Sequence, residues 1–389
     1  MPSSGPESQP EGGFGLYVHW PFCAAKCPYC DFNSHVRAEK PDAMAYARAL
    51  VTEMEWVASR MDRRPQLNSI FFGGGTPSLM PGEAVGLVIG AAQRLFRFAN
   101  DIEITLEANP TSTDAARFAD YATAGVNRAS VGIQALNDTD LKALGRWHSV
   151  AEARAAFETA QHHFARTSFD LIYARQNQRV ADWESELREA LTLAADHLSL
   201  YQLTIEDGTA FGVLAKAGKL TIPDDDQAAE FYAVTQAITG DAGLPHYEIS
   251  NHAAPGAESR HNLVYWRYGE FIGIGPGAHG RVTLDGQLVA TATERLPERW
   301  LDHVTKRGEG YLTREAVPQD AQAEEYLVMA LRLAEGLDIA RYESLAGKRF
   351  DAGIIETLSG HGLIQKTEGR LKATPQGRMV LNRLVAELA

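Results

Sequence analysis

The three cysteines of this 389-residue chain lie in one short stretch, as Cys23, Cys27 and Cys30 with the spacing C-x3-C-x2-C. An apolar run from Phe14 to His19 precedes them and predicts a strand that ends at the cysteine loop. Three thiolates in one loop indicate a metal site. A closed structural zinc site needs four protein ligands, whereas a [4Fe–4S] cube held by three cysteines leaves one iron open to a small molecule. Zinc completed by His19 or His35 is the alternative.

Composition indicates an ordinary globular chain with an acidic balance. The sequence is 45% hydrophobic and 22% charged, with a net charge of −13, and it has no run rich in Lys or Arg. This balance argues against non-specific nucleic-acid binding and against docking on anionic membranes. No apolar stretch approaches the roughly 20 residues that span a bilayer. Because there are three cysteines, an odd number, and all lie in one loop, we expect no disulfide framework. We expect a reducing, cytoplasmic setting.

The elements that must position the cysteine loop alternate in type up to about residue 245. Six apolar, strand-like runs are each followed by a helical pattern, as in Pro41 to Arg60 with its apolar stripe. The predicted strands are Phe14 to His19, Ser69 to Phe72, Ile102 to Glu107, Ala129 to Gln134, Ser168 to Tyr173 and His197 to Thr204. This alternation predicts an α/β fold with a parallel sheet, either curled into a TIM-like barrel or partial barrel or open and doubly wound.

Domain organisation follows from length and from where the alternation stops. A chain of this size exceeds one compact core, so we expect a large and a smaller domain. We predict a disordered tail over 1–13, rich in Pro, Ser, Gly and Glu, a barrel over 14–245, an extension over 246–315 and a C-terminal α+β domain over 316–389. Two short strands around Glu368-Gly369, with a helix from Pro375, predict a winged-helix-like fold there. That region has no cluster of Lys and Arg residues, so we do not expect DNA binding.

Polar residues and glycines follow several predicted strands, at the end where such barrels carry their functional groups. Gly73-Gly74-Gly75-Thr76 would let the backbone approach a ligand closely. Glu107 and Gln134 end two strands, Asp170 lies in a third, and Arg146 lies in a loop. A carboxylate suits ribose hydroxyls, and an Arg pairs with a carboxylate. Taken alone, each is better explained as a solvated or salt-bridged residue.

The cysteine spacing, with Tyr29 before the last cysteine, resembles that of the radical S-adenosylmethionine (SAM) proteins. The resemblance implies a six-unit partial barrel, (β/α)6, and a [4Fe–4S] cluster on the three cysteines, whose open iron binds SAM. It also implies SAM contacts by the residues that match family positions: Tyr17, Tyr29, Gly74, Gly75, Thr76, Glu107, Gln134, Arg146 and Asp170. One segment departs from the family pattern. Tyr173-Ala-Arg-Gln-Asn-Gln178 stands where the family has Tyr-Gly-Leu-Pro-Gly-Gln, which makes the contact by Asp170 less secure.

Further motifs narrow the resemblance to the family of the oxygen-independent coproporphyrinogen III oxidase (HemN), and within it to a branch of haem chaperones. They include Tyr-Val-His-Trp-Pro-Phe-Cys23, Gly-Gly-Gly-Thr-Pro-Ser78 and Ser-Leu-Tyr-Gln-Leu-Thr-Ile-Glu206. Phe32 stands where the oxidase has a fourth cysteine, and only a short tail precedes Tyr17, so the chaperone branch is favoured. The resemblance implies binding of haem and its transfer to apo-haemoproteins, such as those of a respiratory chain. The alternatives are the oxidase reaction, radical SAM chemistry on another substrate, and a zinc-based interaction protein.

The segment His261-Asn262-Leu-Val-Tyr265-Trp266 matches an HNxxYW motif associated with haem binding in that branch. Imidazole is a good axial ligand for haem iron, and aromatic rings pack on a porphyrin. The resemblance therefore implies haem contacts by His261, Asn262, Tyr265 and Trp266, with a structural, hydrogen-bonded His261 as the alternative. His246, His252 and His279 are weaker candidates. The sequence leaves open whether SAM is cleaved, which protein donates electrons, and whether the chain dimerises or contacts membrane proteins.

Overall fold

The structure, a computed structural model, describes residues 9–389. Its strands are β1 (Phe14–Trp20), β2 (Phe22–Cys23), β3 (His35–Val36), β4 (Gln66–Gly74), β5 (Arg97–Ala108), β6 (Arg128–Gln134), β7 (Arg166–Tyr173), β8 (His197–Gln202), β9 (Asn251–Ala253), β10 (Glu270–Ile274), β11 (His279–Leu284), β12 (Gln287–Thr293), β13 (Tyr311–Ala316), β14 (Leu337–Asp338), β15 (Ile364–Thr367) and β16 (Arg370–Ala373). Its helices are α1 (Ala43–Ser59), α2 (Gly82–Leu95), α3 (Ala115–Ala124), α4 (Asp138–Ala143), α5 (Val150–His163), α6 (Val180–Leu193), α7 (Ala210–Lys216), α8 (Asp225–Asp241), α9 (Arg260–Trp266), α10 (Pro297–Arg307), α11 (Gln319–Ala330), α12 (Ile339–Ala346), α13 (Ala352–Gly360), α14 (Pro375–Met379) and α15 (Leu381–Leu388).

Six strands of the main sheet, β1 and β4 to β8, lie side by side in that order, and all neighbouring pairs are parallel. Helices connect each strand to the next. These are the six strand–helix units that the alternation predicted, in the partial barrel that the family resemblance implied. Because the strands are parallel, their carboxyl ends meet at one edge, and the cysteine loop follows the first of them. In the register of the first pair, Trp20 lies beside Gly74.

The sheet continues on both sides of these six strands, which the sequence did not indicate. β9 pairs antiparallel with β8, β10 pairs parallel with β1, and β11, β12 and β13 follow as an antiparallel series. Glycines explain why the sequence indicates strands β10 and β11 only weakly. A Cβ on Gly273 of β10 would overlap the backbone of His279 in β11, and a Cβ on Gly280 of β11 would overlap the side chain of Thr291 in β12. The close contact between these strands therefore requires glycine, and the glycines interrupt the alternation of apolar residues by which a strand is predicted.

A core lies between the barrel strands and the surrounding helices. Phe14, Leu16 and Val18 of β1 are completely buried, as expected for a parallel strand covered on its outer face by helices. The apolar stripe predicted on α1 is buried as well, with Leu50 and Met54 against the sheet. No helix among residues 9–389 is long and apolar enough to cross a membrane.

The C-terminal segment has its own small sheet, β14-β16-β15, and a separate apolar cluster. The predicted hairpin is present, since β15 and β16 pair antiparallel across Glu368 and Gly369. Both turn residues have positive φ, 52° and 77°, as a two-residue hairpin turn of this type requires. The helix predicted from Pro375 also begins there.

The prediction of a disordered N-terminal tail is wrong for residues 9–13. The side chain of Gln9 accepts a hydrogen bond from the Gln66 N–H and donates one to its carbonyl oxygen. A Cβ on Gly12 would overlap the backbone of Arg267, so this segment lies tightly against the chain. The remainder of the predicted tail, 1–8, lies outside the described residues.

A buried carboxylate joins the first barrel helix to the extension of the sheet. Glu53 of α1 is fully buried and accepts hydrogen bonds from the backbone N–H groups of Gly275 and Gly310, both at 2.8 Å. The indole of Trp300 donates to the same carboxylate at 3.1 Å. Burial raises the pKa of Glu53 to about 7 despite these three donors. One side chain therefore fixes two loops and α10 to the barrel.

Replacement of Glu53 by alanine is expected to lower the free energy of unfolding by about 2–4 kcal/mol, because three buried donors lose their acceptor. Urea unfolding of the purified protein measures this change. Glu55→Ala, an exposed carboxylate on the same helix, is the matched control and should stay within about 0.5 kcal/mol of the wild type. Equal losses in the two variants would refute the role assigned to Glu53.

Candidate functional site

A cavity of about 330 Å³ opens at the carboxyl ends of the parallel strands, against the cysteine loop. We call it the cysteine cavity. It brings together all three cysteines and most of the residues predicted to contact SAM. Its lining includes Cys23, Cys27, Cys30, Tyr29, Gly74, Gly75, Thr76, Glu107, Gln134, Arg146 and Asp170. Tyr17 is the exception among the predicted residues, because it lines two neighbouring cavities instead.

All three cysteines are free thiols that are partly exposed to the cavity. The hydroxyl of Thr76 donates to the sulfur of Cys23 at 3.3 Å, and the guanidinium of Arg146 donates to that of Cys27 at 3.4 Å. Burial raises the pKa of the Cys23 and Cys30 thiols. A cation at this site would oppose that effect, since metal binding deprotonates a coordinating thiol.

The imidazoles that could complete a zinc site are engaged elsewhere. Both ring nitrogens of His19 are hydrogen-bonded, one to the Tyr17 hydroxyl at 3.1 Å and one to the Asn33 carbonyl oxygen at 2.9 Å. Nε2 of His35 lies 3.1 Å from the carbonyl oxygen of Arg295. Among residues 9–389, no three His, Cys, Asp or Glu side chains are grouped so that they could hold one metal ion.

The glycine loop after β4 is bonded directly to the start of the cysteine loop. The N–H of Gly75 donates to the Trp20 carbonyl oxygen at 2.7 Å, and that of Thr76 donates to the Phe22 carbonyl oxygen at 2.9 Å. A Cβ on Gly75 would lie 3.0 Å from the sulfur of Cys23. Gly74 has a φ of 106°, and a Cβ there would overlap the ring of His19. Only glycine leaves this part of the cavity open.

Arg146 and Gln134 are polar residues that line the cysteine cavity together with the glycine loop. Arg146 donates to the Gly132 carbonyl oxygen at 2.8 Å as well as to Cys27, and its buried Nε has no partner. Gln134 ends β6 with a φ of 78°, a strained conformation for a residue other than glycine that often marks a ligand site. Three thiols, an open glycine loop and an unsatisfied guanidinium nitrogen fit a [4Fe–4S] cluster with a small charged ligand.

Two carboxylates face each other in the floor of the cysteine cavity. Burial, and then the charge of Asp170, raise the pKa of Glu107 to about 8. Burial raises the pKa of Asp170 to about 6, against the effect of hydrogen bonds from Ser199 and Ser130. Near neutral pH, Asp170 is therefore charged and Glu107 is mostly protonated. The pair can accept and donate hydrogen bonds, as recognition of sugar hydroxyls requires.

The segment that departs from the family pattern keeps a backbone shape suited to glycine. Ala174 and Asn177 have φ values of 55° and 61°, at the two positions where the pattern has glycines. The side chain of Arg175 is buried and holds the loop by bonds to the Ile172 carbonyl oxygen at 2.6 Å and to Glu186 at 2.5 Å. The loop is therefore fixed by side-chain contacts, and Asp170 still faces the cavity.

A second cavity, of about 840 Å³, adjoins the first, and we call it the wide cavity. Gly74, Glu107, Tyr201, Asp31 and Phe32 line both. Three residues of the HNxxYW segment reach it from α9, namely Asn262, Tyr265 and Trp266. The wide cavity also takes in side chains from the extension of the sheet and from α11.

His261 lies behind that wall and does not line the wide cavity. It is buried, and its two ring nitrogens are hydrogen-bonded to the Ser69 hydroxyl at 2.8 Å and to the Tyr265 hydroxyl at 2.7 Å. Burial lowers the pKa of His261 to about 3, so it is neutral. Iron ligation by His261 would require the loss of one of these bonds and movement of Tyr265.

Some lining residues were not identified from the sequence. Ser130 and Tyr201 line the cysteine cavity. Ser130 lies on β6 with Gly132 and Gln134, and this spacing of two places all three on the face that borders the cavity. Tyr201 lies within the characteristic segment that ends at Glu206, near the end of β8. Strand alternation and position at the carboxyl end of a strand would have indicated both.

Comparisons with known proteins identify the family to which the chain belongs. Residues 17–189 match the radical SAM superfamily, and residues 317–380 match the HemN C-terminal domain. The chain is 37% identical over 399 residues to "Radical S-adenosyl methionine domain-containing protein 1, mitochondrial" of Bos taurus, covering 99% of this chain and 90% of that protein. It is 35% identical over 375 residues to "Heme chaperone HemW" of Escherichia coli, covering 95% and 96%.

Among solved structures, coproporphyrinogen III oxidase (HemN) from Escherichia coli, a radical SAM enzyme, has the same fold. The TM-score is 0.80, the sequence identity is 21%, and the match covers 98% of this chain and 90% of that one. The fold and the site therefore define a radical SAM protein, a class that implies SAM and a [4Fe–4S] cluster as cofactors. Within that class, the chain belongs to the family of heme chaperone HemW and radical SAM domain-containing protein 1.

Anaerobic reconstitution with iron and sulfide is expected to give about four iron atoms per chain. Cys27→Ala should lose most of this iron, because one corner of the cube loses its ligand. His35→Ala is the control and should retain it. Iron and sulfide analysis with visible absorption measures the outcome. Tight zinc binding that is lost in His35→Ala would instead support the zinc site.

The raised pKa of Glu107 predicts a pH dependence of stability. Folded Glu107 holds a proton that the unfolded chain releases near pH 4.5, so its contribution is present at low pH and is lost as the pH rises to about 8. Glu107→Gln should therefore lose less stability than the wild type between about pH 5 and pH 8. Thermal melts of the cofactor-free protein, with exposed Glu55→Gln as the control, measure the slope. An unchanged slope would contradict the raised pKa.

Proposed function

We propose that this protein is a haem chaperone that binds SAM and a [4Fe–4S] cluster, takes up haem in the wide cavity and passes it to apo-haemoproteins. The observation that carries the proposal is the wide cavity itself, which directly adjoins the cysteine cavity. Its volume of about 840 Å³ lies in the upper part of the range of about 300–1,000 Å³ found for small-molecule pockets. A large, flat ligand is the kind of molecule it suits.

The lining of the wide cavity has the chemistry that a porphyrin needs. Phe32, Tyr265, Trp266 and Phe271 offer aromatic surface to a macrocycle. Arg281 and Arg295 offer cations to its two carboxylate side chains. The bacterial relatives are named heme chaperones, which supports haem over other flat ligands.

The cysteine cavity would hold the cofactors. Cys23, Cys27 and Cys30 would ligate three irons, and the fourth would be free for the amino and carboxylate groups of SAM. Arg146 would pair with the carboxylate of SAM, and Glu107 and Asp170 would bind its ribose. When bound, the cluster supplies an electron that can cleave the sulfonium of SAM.

SAM has a second role in this proposal, as a ligand that controls the affinity of the protein for haem. Glu107, Gly74 and Tyr201 line both cavities, so occupation of one changes the groups that face the other. SAM binding and haem binding are then coupled, and each alters the affinity for the other by the same factor. Productive cleavage of SAM is not needed for such gating.

A second candidate function is oxygen-independent oxidation of coproporphyrinogen III. The shared fold and the adjoining cavities favour it, since a porphyrinogen in the wide cavity would lie beside SAM. Against it, Phe32 stands where the oxidase has a further cysteine, and this residue is 59% exposed and lines both cavities. We therefore favour the chaperone function over the oxidase reaction.

The three cysteines are thiols, and an exposed cluster survives only in a reducing compartment, so we place the protein in the cytoplasm. The net charge of −13 favours protein clients over nucleic acid. Apo-haemoproteins, including respiratory ones that lie at a membrane, are the proposed partners, and a homodimer is the proposed assembly.

The proposal is tested by titrating the cluster-loaded protein with haemin, with and without SAM, and then adding an apo-haemoprotein. We expect one haem per chain with a Kd of about 1 µM or tighter, transfer to the acceptor, and a dependence on SAM. Trp266→Ala should weaken binding about tenfold through lost aromatic contact. Trp147→Ala is the control, because Trp147 is 73% exposed and lies outside the wide cavity.

A parallel anaerobic incubation with coproporphyrinogen III, SAM and a reductant separates the two functions. Absence of decarboxylated product, together with haem transfer, supports the chaperone. Turnover to protoporphyrinogen without haem transfer would establish the oxidase and overturn the proposal. Weak haem binding that is equal in Trp266→Ala and the wild type would place haem outside the wide cavity.

A further inference from the structure

We infer that His279 is the axial ligand of the haem iron, in place of the histidine of the HNxxYW segment. The inference rests on the proposed function and names the residue of the wide cavity that binds the metal. Haem proteins commonly hold the iron by an imidazole nitrogen, which must be neutral and free of other bonds. His279 meets the second condition, and two neighbouring histidines do not.

The two other histidines nearest the wide cavity have no nitrogen to spare. His261 is buried, with one ring nitrogen on the Ser69 hydroxyl and the other on the Tyr265 hydroxyl. His19 is buried too, between the Tyr17 hydroxyl and the Asn33 carbonyl oxygen. Ligation by either would leave a buried hydrogen-bonding group unpaired, which costs about 1–3 kcal/mol.

The ring of His279 is in the opposite situation. It lines the wide cavity, the residue is exposed, and its ring makes no hydrogen bond or ion pair with any residue in 9–389. It lies close enough to His19 to affect the pKa of that residue, and the ring of His19 lies against Gly74, which lines both cavities. An unpaired imidazole at this position is open to a metal.

The backbone that carries His279 is rigid, as an iron ligand requires. The residue begins β11 and pairs with Ala292 of β12. Its neighbour Ala278 is fixed on both sides, since its N–H donates to the Thr293 hydroxyl at 2.9 Å and its carbonyl oxygen accepts from the Thr293 N–H at 2.9 Å. The imidazole is therefore held on a strand and not on a loop.

The same strand offers a partner for a haem propionate. His279 and Arg281 are two residues apart on β11, so their side chains lie on the same face, and both line the wide cavity. Arg281 is positioned by Glu325 at 2.9 Å and by the ring of Tyr268. One face of β11 thus carries an imidazole that can bind the haem iron and a guanidinium that can pair with a haem propionate.

Haemin titration of the full chain, followed by Soret absorption and electron paramagnetic resonance, tests the inference. His279→Ala should lose the imidazole-ligated signature and bind haemin about tenfold more weakly or worse. Added imidazole should restore the signature in His279→Ala. Metal-free protoporphyrin IX should bind the wild type and this variant alike, because it has no iron for His279 to hold. His361→Ala, at an exposed histidine of the C-terminal segment, is the matched control.

The outcomes are distinguishable. If the wild type binds neither haemin nor protoporphyrin IX, the proposed function fails and this inference fails with it. If the wild type binds haemin and His279→Ala keeps the same spectrum and affinity, only the inference is overturned. Loss of the imidazole signature in His261→Asn, but not in His279→Ala or His279→Gln, would assign the iron to His261 and also overturn it.

Discussion

The parallel pairing of β1 with β4 is the constraint on which the site depends. Hydrogen bonding between these strands continues past Trp20 and Gly74 into the two loops, where Gly75 and Thr76 donate to carbonyl oxygens of the first strand's extension. The cysteine loop and the glycine loop are thereby fixed against each other at the carboxyl edge of the sheet. Every other group in the cysteine cavity is placed relative to that pair.

The electrostatics of the site follow from burial more than from paired charges. Glu107 and Asp170 are half-buried in the lining of the cysteine cavity, and Arg146 lines the same cavity with its buried Nε unsatisfied. Such an arrangement stabilises the protein poorly by itself, because buried polar groups without partners are costly. It is instead suited to a ligand that brings its own carboxylate, ammonium and hydroxyl groups, and the strained backbone of Gln134 agrees with this.

The wide cavity connects the radical SAM site to the rest of the chain. The barrel supplies Glu107 and Gly74, the extension supplies β11 and β12, and α11 supplies Met329. Glu53 holds the extension in place through the backbone of Gly275 and Gly310. A ligand in this cavity would thus contact three parts of the fold at once, which would give a physical route for the proposed coupling between SAM occupancy and haem binding.

The sequence by itself determined the cysteine loop and the six strand–helix units, and its resemblance to the radical SAM proteins pointed to eight further residues that line the cysteine cavity. These residues lie together because parallel topology places every strand's carboxyl end at one edge of the sheet. Tertiary structure decided the rest. Whether an imidazole is free depends on distant partners: the ring of His261 is bonded to Ser69, 192 residues away in sequence, while the ring of His279 has no hydrogen-bond partner among residues 9–389. Likewise, the extra strands, the ordered segment 9–13 and the position of Tyr17 outside the cysteine cavity depend on close contacts that leave no periodic signal.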